Sequence, residues 1–357
     1  MKIDIKAVNK TPVGIIDSSN KTDTYIKKLV VCVGNNLYEV GYLPANGING
    51  KLRRIMTGLL LEKVLSKGIK LTPVDFSLMN NGGGINQKKK DKNNDVKDKK
   101  ENKNNGGDKE KKKDKAAKKI LADLKTLRKL NPVISVFGAG LTVAGKIAVN
   151  NFVPVDEIIE NFVDHRTINF DIKKPSYIQR MEIARMDDIM NMSIAATKVF
   201  TLQELQTYQE RLEKNKAEDT TSTQMLISKE YIVPGIIFYS SIMQLPDRYQ
   251  LEEYEYGLIL KTLEIFATSR IGSTQKSWGV MNYDMFEGEN YDSPFLQSQS
   301  DDKYVFNVKL KKQYSDEQQK AINEADKWLD SISAENVNLE KYFKTSVDEE
   351  EAEESDE

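Results

Sequence analysis

Cysteine and histidine are almost absent from this sequence: Cys32 and His165 each stand alone among 357 residues. A zinc site of the usual soft ligands and a disulfide within the chain are therefore excluded, and any imidazole chemistry would rest on one side chain. A lone histidine beside Arg166 reads as a surface or packing residue. Long apolar runs are missing too. No stretch approaches the ~20 residues that span a bilayer, and Met1–Asn20 has no signal-peptide core, so the expectation is a soluble, cytoplasmic protein without membrane contact. Nothing in the composition calls for a cofactor or a metal.

Charge, by contrast, is abundant and segregated. Lysine and arginine total 53 against 54 acids, yet residues 85–119 hold 15 lysines against 7 acids with hardly an apolar side chain. Such a segment cannot bury enough surface to order itself, and a disordered, lysine-rich loop is expected there. Residues 346–357 form an acidic tail, also expected to be disordered. Without that tail the remainder is basic, which points to an anionic partner better than the near-zero net charge does.

The stretch from Gly41 to Met56 organises the rest. An alternating segment, Leu37–Leu43, reads as a strand that enters a Pro/Asn/Gly turn. From Lys51 to Lys67, apolar residues then recur at helical spacing (Leu52, Ile55, Met56, Leu59, Leu60, Val64). On this reading Asn49 and Gly50 offer backbone amides at a helix start, and Lys51, Arg53 and Arg54 put full charges in its first turn. Cations are unfavourable there unless an anion sits among them, so the pattern suggests a phosphate, here of a nucleic-acid backbone. A nucleotide P-loop does not fit, because Leu52 follows Lys51. Gly140 to Lys146 has Walker A glycine and lysine spacing, but Ile147 stands where a hydroxyl should.

Along the chain, Lys2–Ile16 reads as a first strand. Tyr25–Val33 and Leu37–Leu43 read as a hairpin about Gly34. Ile69–Leu78 reads as a short strand, and Ile120–Leu130 as a helix stopped by Asn131-Pro132. Val133–Val143 and Gly145–Val149 read as strands about a glycine-rich bend that carries Lys146. Pro175–Met192 is polar and methionine-bearing, and its Asp187-Asp188 pair is expected to meet Arg180 or Arg185 rather than a metal. Met225–Ser240 reads as strand broken at Pro234-Gly235, and Leu251–Ala267 as an amphipathic helix. Arg270 to Gly279 is a second glycine loop; its Gly272, Ser273 and Lys276 suit phosphates, and Trp278 could stack a base or pack the loop onto the core. Tyr304–Leu310 reads as a late strand and Ser315–Ile332 as a helix.

Several of these pieces line up with one family. Leu43-Pro44 through Gly50-Lys-Leu-Arg53, Phe137-Gly138 with Gly145-Lys146, Gly272 through Gly279, and Arg180 with Arg185-Met-Asp-Asp188 resemble motifs of the backbone subunit of CRISPR effector complexes. These are the group-seven members of the RAMP superfamily, and the chain looks most like the type IV version. The resemblance implies an α+β fold: an RRM-like (ferredoxin-like) palm over 1–84, 120–172 and 225–345, interrupted by the loop at 85–119 and by a thumb inserted at 173–224. It implies a non-catalytic protein that binds guide RNA, assembles head to tail with further copies of itself and joins other CRISPR effector subunits. The guide is presented for pairing to a target strand, with DNA favoured over RNA. The RNA-binding residues so implied are Asn49, Gly50, Lys51, Arg53, Arg54, Lys146, Arg180, Arg185, Arg270, Gly272, Ser273, Lys276 and Trp278. The chain lacks the aromatic signatures of ordinary RRM proteins, so base stacking on the sheet face is not expected. Two alternatives stay open: a metal-dependent ribonuclease cutting target RNA through Asp17 or Asp23, and a guide-processing endoribonuclease of the same superfamily.

Overall fold

Alternation in Lys2–Asn9 builds the first strand, β1: Ile3, Ile5 and Ala7 are buried on one face, while Asp4, Lys6 and Val8 take the other. The computed structural model describes residues 1–19, 23–33, 36–82, 125–139, 143–155, 177–186, 224–246, 250–271, 278–288 and 293–339, with residues 201, 203, 206, 207, 210, 291 and 342 singly. The loop at 85–119, His165, the Asp187-Asp188 pair and the acidic tail lie outside the described residues.

After β1 come β2 (Ile16–Ser19), β3 (Asp23–Ile26), β4 (Lys28–Val33) and β5 (Asn36–Gly41), then helices α1 (Ala45–Ser66), α2 (Pro73–Asn81) and α3 (Pro132–Phe137). Short strands β6 (Gly138–Ala139), β7 (Val143–Ala144), β8 (Ile147–Val149) and β9 (Val153–Pro154) precede β10 (Ile178–Met186), β11 (Gln224–Ile232) and β12 (Ile237–Gln244). The chain continues through α4 (Glu253–Thr268), β13 (Met281–Glu287), β14 (Leu296–Ser300), β15 (Val308–Lys312) and α5 (Asp316–Ser331).

The result is a mixed α+β architecture. Its main sheet has seven strands in the order β15-β14-β13-β1-β12-β8, with β9 also on β12, and every pairing is antiparallel. Register sets Ile3 opposite Ile242, Ala7 between Phe238 and Tyr283, and Ile5 beside Met285, so one face is continuously apolar. Helix α1 covers it with Ile48, Leu52, Met56, Leu60 and Val64, a stripe repeating every four residues, and α4 adds Leu258, Leu263 and Phe266. The opposite face is polar: Asp4 is closed off by Lys2, Tyr239 and Tyr291. A second, four-stranded sheet runs β10-β11-β3-β2, and β4 with β5 forms a separate ribbon, the hairpin expected of Tyr25–Val33 and Leu37–Leu43 except that Tyr25 and Ile26 belong to β3 of the second sheet. No helix among the described residues is long and apolar enough to cross a membrane.

Three expectations are overturned. The helix expected from Lys51 begins six residues earlier, at Ala45, because Pro44 supplies the extended N-cap and Asn151 Oδ1 accepts from Ala45 N at 2.8 Å. Gly47 and Gly50 are thus helical, and Lys51 stands in the second turn. Ile69–Leu78 contains the start of a helix rather than a strand: Thr72 Oγ1 accepts from Asp75 N at 3.1 Å, the Asp75 carboxylate accepts in turn from Thr72 N, and Pro73 occupies the first turn. Residues 132–137 are helical for the same kind of reason, since buried Asn131 Oδ1 accepts from Val133 N and Ile134 N.

Candidate nucleic-acid interface

Lys51, Arg54 and Arg270 come together although the first and last are 219 residues apart. The second and third turns of α1 present Lys51 and Arg54; Arg270 follows the end of α4, and Lys51 Nζ donates to its backbone carbonyl. Burial, then the charges of Arg54 and Arg270, hold Lys51 below the usual lysine value of 10.5. No carboxylate among the described residues pairs with any of the three. Gathered like charges without a counter-ion repel one another, and a bound polyanion reverses that sign.

Beside this cluster runs a groove of about 450 Å³ between the start of α1, the end of α2 and the β6–β7 hairpin; Asn46, Asn49, Gly50, Arg54 and Asn81 are among its lining residues. The hairpin requires its glycines. Gly138 has φ +80°, and a Cβ there would lie 2.4 Å from Val143 O, while one on Gly145 would lie 2.6 Å from Val136 O. Arg53 braces the groove rather than reaching out of it. It is 6% exposed, donates to Leu78 O and Met79 O at the carboxyl end of α2 and to Gly138 O, and sits 5.7 Å from the Phe137 ring centroid. Burial lowers Arg53 to about 10, so it remains charged at neutral pH at the negative end of the α2 dipole.

Lys146 and Trp278 are engaged elsewhere. Lys146 is buried, and its Nζ lies 2.7 Å from Glu255 Oε2, which also accepts from Glu252 N at 2.8 Å. Its charge ties the hairpin to the first turn of α4, and the expectation of a phosphate contact is corrected on that ground. Trp278 is likewise turned inward. Its ring centroid is 5.3 Å from that of Tyr231, and Gly279, at φ +85°, is pinned through Ile271 N and Pro12 O, so the packing alternative is the one realised. Arg180 lies exposed on β10 with Nε on Ser228 Oγ. Position 185 is on the same strand an odd number of residues away, opposite Met225, so positions 180 and 185 belong to opposite faces of the sheet. Gly272, Ser273 and Lys276 lie outside the described residues.

No family model matches the chain, and no curated protein matches it. Among solved structures it is similar to a chain of a "Type IV-B CRISPR Complex". The two share 11% identity with a TM-score of 0.42, over 80% of this chain and 90% of that one.

Two exposed aromatic side chains, one of them against Arg270, are not singled out by the sequence pattern. The loop between β14 and β15 leaves Tyr304 and Phe306 63% and 56% exposed, and the Arg270 guanidinium carbon lies 5.3 Å from the Phe306 ring centroid. Sequence pattern puts Tyr304 inside a strand, where alternate exposure is ordinary. The strand starts only at Val308, and the aspartates at 301 and 302 are the available sign of a turn.

Proposed function

We propose that this protein is a non-catalytic guide-RNA-binding backbone subunit of a CRISPR effector complex, holding a ribose-phosphate strand along the Lys51/Arg54/Arg270 cluster and the adjoining groove. The observation that carries the RNA-binding part is the convergence of Lys51 and Arg270, with Arg54 beside them and no carboxylate among the described residues to satisfy them. The family part rests on the motifs from Leu43 to Gly279. The strand order β13-β1-β12-β8, with α1 following β1 and α4 following β12, is what a ferredoxin-like palm requires and supports the same reading. In it the thumb over 173–224 carries β10, copies assemble head to tail through unlike surfaces, and the bases not held by the protein stay free for a target strand, DNA rather than RNA. The other subunits of the complex are its partners, and its setting is the cytoplasm.

Fluorescence anisotropy with a guide-length RNA tests the grip. The variant carrying Lys51→Glu, Arg54→Glu and Arg270→Glu is expected to bind more weakly and with a shallower salt dependence, by about 0.7 in the log–log slope for each phosphate the variant no longer neutralises. Unchanged affinity in a folded triple variant would reject this placement. Metal-dependent cutting of a guide-paired RNA that disappears in Asp17→Ala or Asp23→Ala would overturn the non-catalytic assignment.

A further inference from the structure

We propose that the β14–β15 loop, residues 301–307, is a stacking platform for bases of single-stranded RNA, with Phe306 and Tyr304 as the ring surfaces; this rests on the RNA-binding reading above. Hydrogen bonds hold the backbone that carries the rings. Asp301 N donates to Asn307 O at 2.9 Å, Asn307 N donates to Tyr304 O at 2.7 Å, and Asp301 Oδ1 accepts from Lys303 N at 2.8 Å and Tyr304 N at 3.3 Å. Exposed aromatics held in advance lose little freedom when a base lands on them. Each also has a cation at its ring: Arg270 at Phe306, and Lys303 Nζ 5.8 Å from the Tyr304 centroid.

Arg270 joins this platform to the cation cluster. Its carbonyl takes Lys51 while its guanidinium lies over Phe306, so a strand whose phosphates rest at Lys51 and Arg54 passes the rings. Beside Arg270 and Phe306 is a hollow of about 170 Å³, lined also by Ser269, Met281 and Val308. Single exposed aromatics are common on protein surfaces and need no partner. Two on one hydrogen-bonded loop, each with a cation at its ring and one of those cations in the Lys51 cluster, form a different pattern. Asp301 and Asp302 decide which part of the strand is taken. The amides of Lys303 and Tyr304 keep the Asp301 carboxyl below the ordinary aspartate value, hence ionised, and two carboxylates repel phosphate. A base is therefore placed on the loop, and the phosphates stay on the Lys51 side.

Binding of the full chain to a labelled oligouridylate and to an abasic ribose-phosphate oligomer of equal length tests this. Tyr304→Ala with Phe306→Ala is expected to weaken oligouridylate binding roughly 5- to 150-fold per stacked base and to leave the abasic oligomer unaffected. Phe306→Leu, which keeps apolar bulk without the ring, should show the same selectivity. Equal losses on both probes, or none on either, would overturn the platform. So would retained oligouridylate affinity with a changed oligomeric state by sedimentation, which would make the rings a contact between copies. Lys51→Glu with Arg54→Glu separates the two levels. If that variant weakens both probes while the aromatic variants change nothing, only the platform fails; if it weakens neither, the RNA-binding reading fails first.

Discussion

Lys51 and Lys146 carry the same group in opposite settings. Lys146 has one oxygen of a wholly buried carboxylate 2.7 Å away, and removing either partner would leave an uncompensated charge inside the protein. Lys51 instead is partly buried and faces two arginines, so its charged form is less favoured in the free protein than that of an isolated lysine. Phosphate bound beside it favours the charged form, and binding therefore retains a proton that the free protein would release as pH rises. The expected outcome is a loss of RNA affinity with rising pH that begins below the ordinary lysine value of 10.5, where isolated lysines are still charged. Anisotropy with an alkali-resistant 2′-O-methyl oligomer over about pH 7 to about pH 10 would measure it. Lys51→Arg should remove the decline, because a guanidinium keeps its proton throughout that range. An identical decline in that variant would place the titrating group elsewhere.

Helix α4 is positioned by its contact with α5, and Gly257 sets how closely the two approach. A Cβ at Gly257 would lie 1.9 Å from Ala321 O and 2.4 Å from Ala321 C, a collision with backbone that no rotamer relieves. Ala321, Ile322, Ala325 and Leu329 of α5 are buried, so the helices cannot part without exposing this seam. Gly257→Ala is expected to lower stability by ~1–3 kcal/mol through overpacking, read as a lower urea midpoint, despite the helix propensity gained. Elements of this kind are legible in the sequence: α4, α5 and the break at Pro234-Gly235 between β11 and β12 stand where their periodicities put them. The start of α1, and the whole of α2 and α3, are not. Short apolar runs fit a strand and a buried helix equally well, and the deciding signals are caps at Thr72 and Asn131, each followed by a proline. The site is legible in half. Basic character at Lys51, Arg54 and Arg270 is visible locally, but which cations face inward depends on partners far along the chain, as Gly138 is for Arg53 and Glu255 for Lys146.

At the scale of the molecule, a protein that holds backbone, and touches bases only by stacking, should bind RNA by length rather than by sequence. Its main sheet ends in β15, whose Lys309, Lys311 and Lys312 blunt that edge against pairing with another sheet. In the proposed backbone role, growth of an assembly would be left to side-chain surfaces meeting unlike surfaces on the next copy, a geometry that stays open wherever its rotation does not close and would continue as long as RNA is there to occupy. Sedimentation of the protein with oligomers of increasing length, all of unstructured sequence, is expected to show mass rising in steps of one 40.6 kDa chain. Scrambling the sequence at fixed length should leave both step size and affinity unchanged at a given salt concentration. The Lys51, Arg54 and Arg270 triple variant should lose the steps while staying folded. A single fixed stoichiometry at every length would end the filament reading and leave a monomeric RNA binder, whereas steps that persist in the triple variant would move the grip to another face.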